Sequence, residues 1–260
     1  MGNNKGLITI IIVLFVLVIG LGGFIAYERF FQTEEDDTLT TIGESEINLN
    51  IFYQVSDILN QLDSAFNDSS SAYIGHIYGQ KRVIAKELDN STATYLALQS
   101  VLLKTGTNQI VSSDLVKSNY GKIFGDTNTY KPISIDAGSN YKVLYHPDQN
   151  NYTYQIAGPT SIYQSGYVAY NLKTSLAPDK VIVKRKVFYV DYTTSDNVVT
   201  ANIYKTNSKE QYLGKITLQK GVLNSYEVIS KYGSKIPTYD YTFVKKTQED
   251  YNFYSIEQSK

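Results

Sequence analysis

An uninterrupted apolar run is the first feature of the chain, because no charge occurs between Leu7 and Tyr27. A helix rises about 1.5 Å per residue, so a run of this length covers the roughly 30 Å hydrocarbon layer of a bilayer. A helix of this length buried in a globular protein would carry a polar stripe, which is missing here. The pattern predicts a transmembrane helix over residues 7–27.

Charges on either side of this run predict its orientation. Lys5 and the amino terminus precede it, whereas Arg29 and the acidic cluster at residues 34–37 follow it. The positive-inside rule then places residues 1–6 in the cytoplasm and everything after the helix outside. The run is longer than the apolar part of a usual signal peptide, so an uncleaved anchor is favoured over cleavage.

After the run, the spacing of apolar residues predicts a linker followed by helices. Residues 28–45 are polar and acidic, which is typical of a tether. Within residues 46–125, apolar residues recur every three or four positions, as they do on one face of an α-helix. The first such face consists of Ile51, Val55, Ile58, Leu59, Leu62 and Phe66.

Two more helical patterns follow before residue 126. One begins near Val83, pauses at residues 90–92 and ends by Gly106. The other has N-cap candidates at residues 112–114 and is stopped by Gly125. Its predicted inward positions are Leu115, Val116, Tyr120, Ile123 and Phe124.

From residue 130 onward the apolar period changes from 3.6 to 2, and short polar turns between the segments predict antiparallel strands. The predicted strands cover residues 141–145, 152–156, 166–174, 180–193, 198–205, 211–218, 239–245 and 251–257. Lys184, Arg185 and Lys186 are expected to mark an exposed or bulged middle of the longest strand. The predicted fold class is α+β, with amphipathic helices packed on one face of a curved antiparallel β-sheet.

The order of these elements resembles known architectures. Over residues 110–260 it is similar to the cystatin-like and nuclear-transport-factor-two-like folds, which implies a curved sheet wrapped onto helices. Separately, Lys5 and Gly6 before an apolar helix resemble the processing site of type IV pilins, although Ile11 stands where that family has a glutamate. That resemblance implies a first helix that both spans the membrane and packs a filament.

Composition excludes several classes of function. The 24 Lys and Arg are interspersed with 25 Asp and Glu, for a net charge of −1, so no basic surface for nucleic acid is expected. Cysteine is absent, which excludes disulfides, thiolate metal sites and a cysteine nucleophile. Tyrosine is abundant, at 24 residues, and favours strands because its ring packs on a pleated surface while its hydroxyl stays wet.

No motif for catalysis, cofactor binding or metal binding is recognisable. The two histidines, His76 and His146, occur in neither HxH nor HExxH spacing. No serine lies in a GxSxG turn, and residues 121–125 lack the spacing of a phosphate-binding loop. Two carboxylates for glycoside hydrolysis can come from distant positions, so an enzyme directed at wall polymers stays open as an alternative.

Two C-terminal strands carry the most distinctive side chains. Tyr239, Tyr241 and Phe243 share one face of a strand, and Tyr251 and Phe253 share a face of the next. The polar loop between the strands favours a hairpin that stacks these rings as cross-strand pairs. Core packing is the favoured interpretation, and a platform that binds a sugar or a peptide is the alternative.

These patterns predict a single-pass protein of the cell membrane, with its amino terminus inside and a domain of residues 46–260 outside. The expected role is non-catalytic binding or assembly at the cell envelope. The lipid bilayer would be one partner, through residues 7–27, and an envelope protein or a wall polymer would be another. A pilin-like or secretion-machine subunit is a further alternative, by analogy with type IV secretion subunits that join one N-terminal helix to a cystatin-like domain.

Overall fold

The computed structural model describes residues 49–64, 82–99, 101, 109–127, 129–136, 141–156, 163, 165–196, 198–218, 221–247 and 250–259. These residues form an α+β fold with antiparallel sheets and few helices, which confirms the predicted class. The predicted transmembrane helix over residues 7–27 and the acidic linker over residues 28–45 lie outside the described residues.

The described part of the chain contains four α-helices and eleven strands. The helices are α1 (Leu49–Ser64), α2 (Asn90–Gln99), α3 (Ser113–Phe124) and α4 (Ser225–Tyr232). The strands are β1 (Arg82–Ile84), β2 (Gln109–Ser112), β3 (Ile135–Asp136), β4 (Tyr141–His146), β5 (Asn151–Ile156), β6 (Gly166–Ala177), β7 (Lys180–Ser195), β8 (Val198–Tyr204), β9 (Tyr212–Leu218), β10 (Thr238–Lys245) and β11 (Tyr251–Gln258). All eight predicted strands are present, and the largest difference is the end of β6, at Ala177 instead of residue 174.

The first predicted helix is confirmed, and its apolar face is buried. Val55, Ile58, Leu59 and Leu62 of α1 all lie in the main core. The spacing of threes and fours places these side chains on one side of the helix, where they pack against the rest of the domain. Phe66, which the predicted face also included, lies outside the described residues.

Helix α3 begins and ends at the predicted signals. The side chain of Ser112 accepts a hydrogen bond from the Asp114 backbone N–H, which satisfies a donor at the helix start. Gly125 ends the helix with a φ of +81°, a left-handed conformation that glycine adopts without steric cost. Leu115, predicted to face inward, is instead exposed, because Val116 and its helical neighbours occupy the buried face.

The second helical pattern is wrong at its start. Val83 and Ile84 lie in β1, which pairs antiparallel with β11 so that Arg82 is opposite Glu257. A short 3₁₀ turn at Ala85–Glu87 leads from this strand towards α2. Val and Ile are β-branched and suit a strand, and the edge of β11 supplies the hydrogen-bond partners that a local helical pattern cannot reveal.

The longest strand, β7, links two parts of the larger sheet. The sheet has the order β1-β11-β10-β7-β8-β9, with β6 also paired to β7. Along one edge of β7, residues 180–186 pair with β10 and residues 189–195 pair with β8. Along the other edge, residues 180–190 pair with β6. At Tyr189 the pairing with β10 has ended, and β8 has taken its place on that edge. Tyr189 therefore lies between β6 and β8.

Alternation along β7 directs side chains into two separate cores. Val183 and Val187 join the main core, which also contains the buried faces of α1, α2 and α3. Phe188 and Val190 lie in a smaller core with Val228 of α4. Helix α4, which the apolar period did not predict, thus covers the sheet face opposite to the other three helices.

A second sheet, with the order β2-β5-β4-β3, corrects the expectation of one curved sheet. Its inner face contributes Val111, Val143 and Tyr152 to the main core. The hairpin of β4 and β5 pairs with β2, a strand of four residues that lies within the predicted helical part. Because β2 supplies this partner edge, the hairpin belongs to a sheet of its own.

Candidate functional site

The five aromatic residues predicted as core or platform lie in the interior. Tyr239, Tyr241, Phe243, Tyr251 and Phe253 are all buried and belong to the main core. β10 and β11 form a hairpin in which Phe243 lies opposite Phe253, with ring centroids 6.2 Å apart. In this conformation the five rings pack against the protein and present no open face to a ligand.

A bulge in the same hairpin turns one further ring outward. Thr242 pairs with Ser255 and Phe243 pairs with Phe253, so Tyr254 has no residue opposite it in β10. Its side chain is partly exposed, unlike those of its neighbours. Bulges re-aim side chains in this way by adding one residue to one strand.

A buried arginine occupies the face of one of these rings. The guanidinium carbon of Arg185 lies 4.9 Å from the ring centroid of Tyr241. Its Nη1 and Nη2 donate to the two carboxylate oxygens of Asp63 in α1, at 2.8 and 2.6 Å, and its Nε donates to Asn171 Oδ1 at 2.6 Å. Arg185 is only 3% exposed, so the expectation of an exposed middle in β7 is wrong at this position.

Arg185 is buried, and not exposed as predicted, because it is paired with Asp63. A buried cation is tolerated when a carboxylate and further hydrogen bonds surround it, and a bidentate contact is the strongest such pairing. The expected bulge lies on the neighbouring strand β6, between Asn171 and Lys173, and not on β7 itself. The side chain that the sequence marked as exposed therefore joins α1 to the sheet from inside.

A chain of buried hydroxyl groups joins α3 to the smaller sheet. The Ser113 and Tyr130 hydroxyls lie 3.0 Å apart, and the Tyr130 and Tyr152 hydroxyls lie 2.7 Å apart. Burial, followed by the hydrogen bond with Tyr130, raises the pKa of Tyr152 far above its ordinary value, and burial also raises the pKa of Tyr130. Both phenols therefore stay protonated at neutral pH and act as structural hydrogen-bonding groups.

One serine lies beside a carboxylate and a lysine, but the arrangement does not suit nucleophilic catalysis. Ser165 Oγ donates to Asp191 Oδ1 at 2.8 Å, and Lys209 Nζ donates to Asp191 Oδ2 at 2.7 Å. Burial alone would raise the pKa of Asp191, but the hydrogen bonds from Lys209 and Ser165 outweigh it and hold that pKa below its ordinary value. A carboxylate stabilised in its charged form is a poor proton acceptor, so this cluster fixes the start of β6 against β7.

His146, the histidine that the structure describes, contacts a threonine. The Nε2 atom of His146 lies 2.7 Å from Thr153 Oγ1, across the β4–β5 hairpin. His76 lies outside the described residues. Among the residues that the structure describes, no group of three or more His, Cys, Asp or Glu side chains could hold a metal ion.

An exposed apolar row crosses the outer face of the smaller sheet. Ile110 of β2 lies opposite Thr153 of β5, and Thr153 lies opposite Leu144 of β4. Ile110 is 74% exposed and Leu144 is 38% exposed. We call Ile110, Thr153 and Leu144 the outer row. The sequence predicts that Leu144 points away from the core, because neighbouring residues of a strand such as Val143 and Leu144 point to opposite faces. The position of Ile110 is not predictable in this way, because β2 has only four residues and shows no recognisable period.

Comparison with known proteins adds no relative. No family model, no curated protein and no solved structure matches the chain. In the described residues, no helix has the length and apolar character needed to cross a membrane.

Proposed function

We propose that this protein is a single-pass, membrane-anchored binding module, with its amino terminus in the cytoplasm and its folded domain outside. Support for the anchor comes from the uncharged run between Leu7 and Tyr27, which has the length of a bilayer-spanning helix. Support for the orientation comes from Lys5 before the run and the acidic residues 34–37 after it.

The outer row is the observation that carries the binding role. Ile110 and Leu144 are apolar and exposed, and the next row of the same face, Ser112, Asn151 and His146, is polar. Strands lie about 4.8 Å apart, so the outer row extends for about 10 Å across three strands. An apolar centre with a polar border is typical of a contact with another protein.

We favour an envelope protein over a wall polysaccharide as the partner. Sugars are commonly held by exposed aromatic rings, and the aromatic residues proposed for that purpose, Tyr239, Tyr241, Phe243, Tyr251 and Phe253, are buried. A second proposal, an assembly role, rests only on the likeness in element order to the cystatin-like domains of secretion-machine subunits, which is an analogy of fold and names no site.

The anchor and its orientation are tested by adding protease to intact cells. We expect the domain to be degraded while a membrane-bound stub that includes residues 7–27 remains. Full protection of the domain would contradict the orientation. Recovery of a free protein that begins near residues 23–28 would show cleavage in place of anchoring.

The binding role is tested by placing a photoreactive amino acid at Ile110 of the full chain in intact cells. Val198, at the start of β8, is the matched control because it is also apolar and 45% exposed but lies on the larger sheet. We expect a discrete cross-linked product from position 110, none from position 198, and a loss of the product when Leu144→Asp is added. Equal labelling at both positions, or a product insensitive to Leu144→Asp, would refute the outer row as a binding surface.

A further inference from the structure

Two side-chain attachments join helix α1 to the rest of the domain. At one end, Gln54 Oε1 accepts a hydrogen bond from the Tyr251 backbone N–H at 3.0 Å, and Gln54 Nε2 donates to Asp250 Oδ1 at 3.3 Å. Towards the other end, Asp63 forms the bidentate pair with Arg185. The two attachments are about 14 Å apart along the helix axis, at about 1.5 Å per residue.

The apolar contribution to this docking is limited by opposing costs. Four buried side chains of α1, those of Val55, Ile58, Leu59 and Leu62, enter the main core. Against them stands the conformational entropy of ordering a helix that is marginal in water by itself. Gln61 Oε1 is buried without a hydrogen-bond partner among the described residues, and burying an unpaired acceptor is a further cost. The polar attachments therefore add to the apolar contacts that hold α1 in place.

The contribution of Arg185 to this attachment depends on the charge of Asp63. With α1 docked, the guanidinium is almost completely buried, and a buried cation without its carboxylate is strongly unfavourable. If α1 lifts away, water can solvate the guanidinium again. The sheet does not need α1 for its hydrogen bonds, because β7 pairs with β6 and β10 on its two edges at this position.

We propose that Arg185 and Asp63 form a latch, and that breaking this ion pair lets α1 open from the sheet as one unit while β6, β7 and β10 remain paired. Arg185 keeps two of its partners in the open state, since Asn171 lies on β6 and Tyr241 lies on β10. The latch also selects what docks on this face, because an apolar helix without a carboxylate at the position of Asp63 would bury the guanidinium without the bidentate contact that Asp63 supplies. This inference does not depend on the proposed membrane anchor or binding partner.

The test is amide hydrogen exchange of the full chain in detergent, with Asp63→Asn compared with wild type. Asn has nearly the same shape as Asp but lacks its charge, so the change weakens the latch without a loss of volume. The matched control is Glu257→Gln, which weakens the exposed pair between Arg82 and Glu257. In Asp63→Asn we expect amides of α1 to exchange at least about tenfold faster and those of β7 and β10 to stay within about twofold. Glu257→Gln should change neither group by more than about twofold.

Two outcomes would overturn the latch. An equal acceleration in α1, β7 and β10 would show that the pair stabilises the whole fold and not α1 in particular. Unchanged exchange of α1 would show that its apolar face holds it without the pair. As a rescue, Asp63→Leu combined with Arg185→Met should restore slow exchange of α1, because a packed apolar pair can replace a buried ion pair.

Should Asp63→Asn prevent folding, the wild-type chain supplies the same test in low urea. We expect α1 amides to exchange through a partial opening with a small dependence on urea, while β7 and β10 exchange through an opening with a larger dependence. A single opening shared by all three elements would overturn the proposal.

Discussion

Replacing Tyr241 by Ala tests whether this ring stabilises the core, because only a buried ring contributes strongly to the free energy of unfolding. The Tyr241 side chain is completely buried in the middle of β10, and it contacts Arg185 through its ring face. Removing the ring leaves a cavity in the main core and takes away the aromatic surface under the guanidinium. Both effects lower the free energy of unfolding.

The expected size of the effect follows from these two losses. Truncating a buried aromatic side chain to Ala costs about 3–5 kcal/mol. A desolvated contact between a cation and a ring adds up to about 2 kcal/mol. Together they predict a loss of about 3–7 kcal/mol, compared with a total stability of about 5–15 kcal/mol for a typical domain. The expected loss is therefore a large fraction of the stability of a typical domain.

The assay is urea unfolding of a fragment of residues 46–260, followed by circular dichroism. Tyr241→Leu keeps much of the apolar volume and should lose only about 1–3 kcal/mol. Tyr254→Ala, at the bulged and partly exposed ring of β11, is the matched control and should lose less than about 1 kcal/mol. A loss below about 1.5 kcal/mol in Tyr241→Ala, with an unchanged urea dependence, would refute the assignment of this ring to the core.

Three further predictions use the same fragment. Leu62→Asp should lower the free energy of unfolding in urea by at least about 3 kcal/mol, because it places a charge in the main core. The control Tyr53→Asp, on the exposed side of α1, should change it by no more than about 0.5 kcal/mol. Equal effects of the two changes would contradict the buried face of α1. Gly125→Ala should lower the melting temperature more than Gly221→Ala does. Both glycines have positive φ, so the backbone strain of the two changes is similar. An added Cβ at residue 125 would lie 2.5 Å from a side-chain oxygen of β11, whereas an added Cβ at residue 221 would have no atom within 4 Å. Burial raises the pKa of Tyr189 to about 12, above the value near 10 that a tyrosine has in an unfolded chain. The contribution of the neutral phenol to stability is therefore complete below about pH 10 and is lost as the pH rises through about 12. The urea midpoint should fall over this pH range, and it should fall less in Tyr189→Phe.

Local sequence patterns are sufficient to predict those helices and strands that are long enough to show their own period or capping residues. The strands from β4 to β11 were predicted because alternation over six or more residues is visible without knowledge of the partner strand. Capping residues predicted α3 for the same reason, since Ser112 and Gly125 act within one turn of the helix. β1 and β2 were missed because three or four residues carry no readable period, and only pairing with β11 and β5 makes them strands.

The contacts around Arg185 could not be predicted from neighbouring residues. Its polarity indicated exposure, but Asp63, the residue that allows its burial, lies 122 positions away in the sequence. The direction of the C-terminal rings was predictable from alternation, because Tyr241 and Phe243 fall on the same face as the core-facing residues of β7. Tyr254 was not predictable, since a bulge changes the alternation that such an argument uses.

The pairing of β1 with β11 has a consequence for the order of events during synthesis. Arg82 and Glu257 are 175 positions apart, and Gln54 and Tyr251 are 197 positions apart, so the early elements reach their partners only when the last strand has been made. At about 5–20 residues per second, a ribosome needs about 9–35 s to extend the chain from the one strand to the other. During that interval the apolar face of α1 has no finished sheet to cover it. A chain that stops before β11 should therefore remain a substrate for chaperones and proteases, however many of its other residues are present.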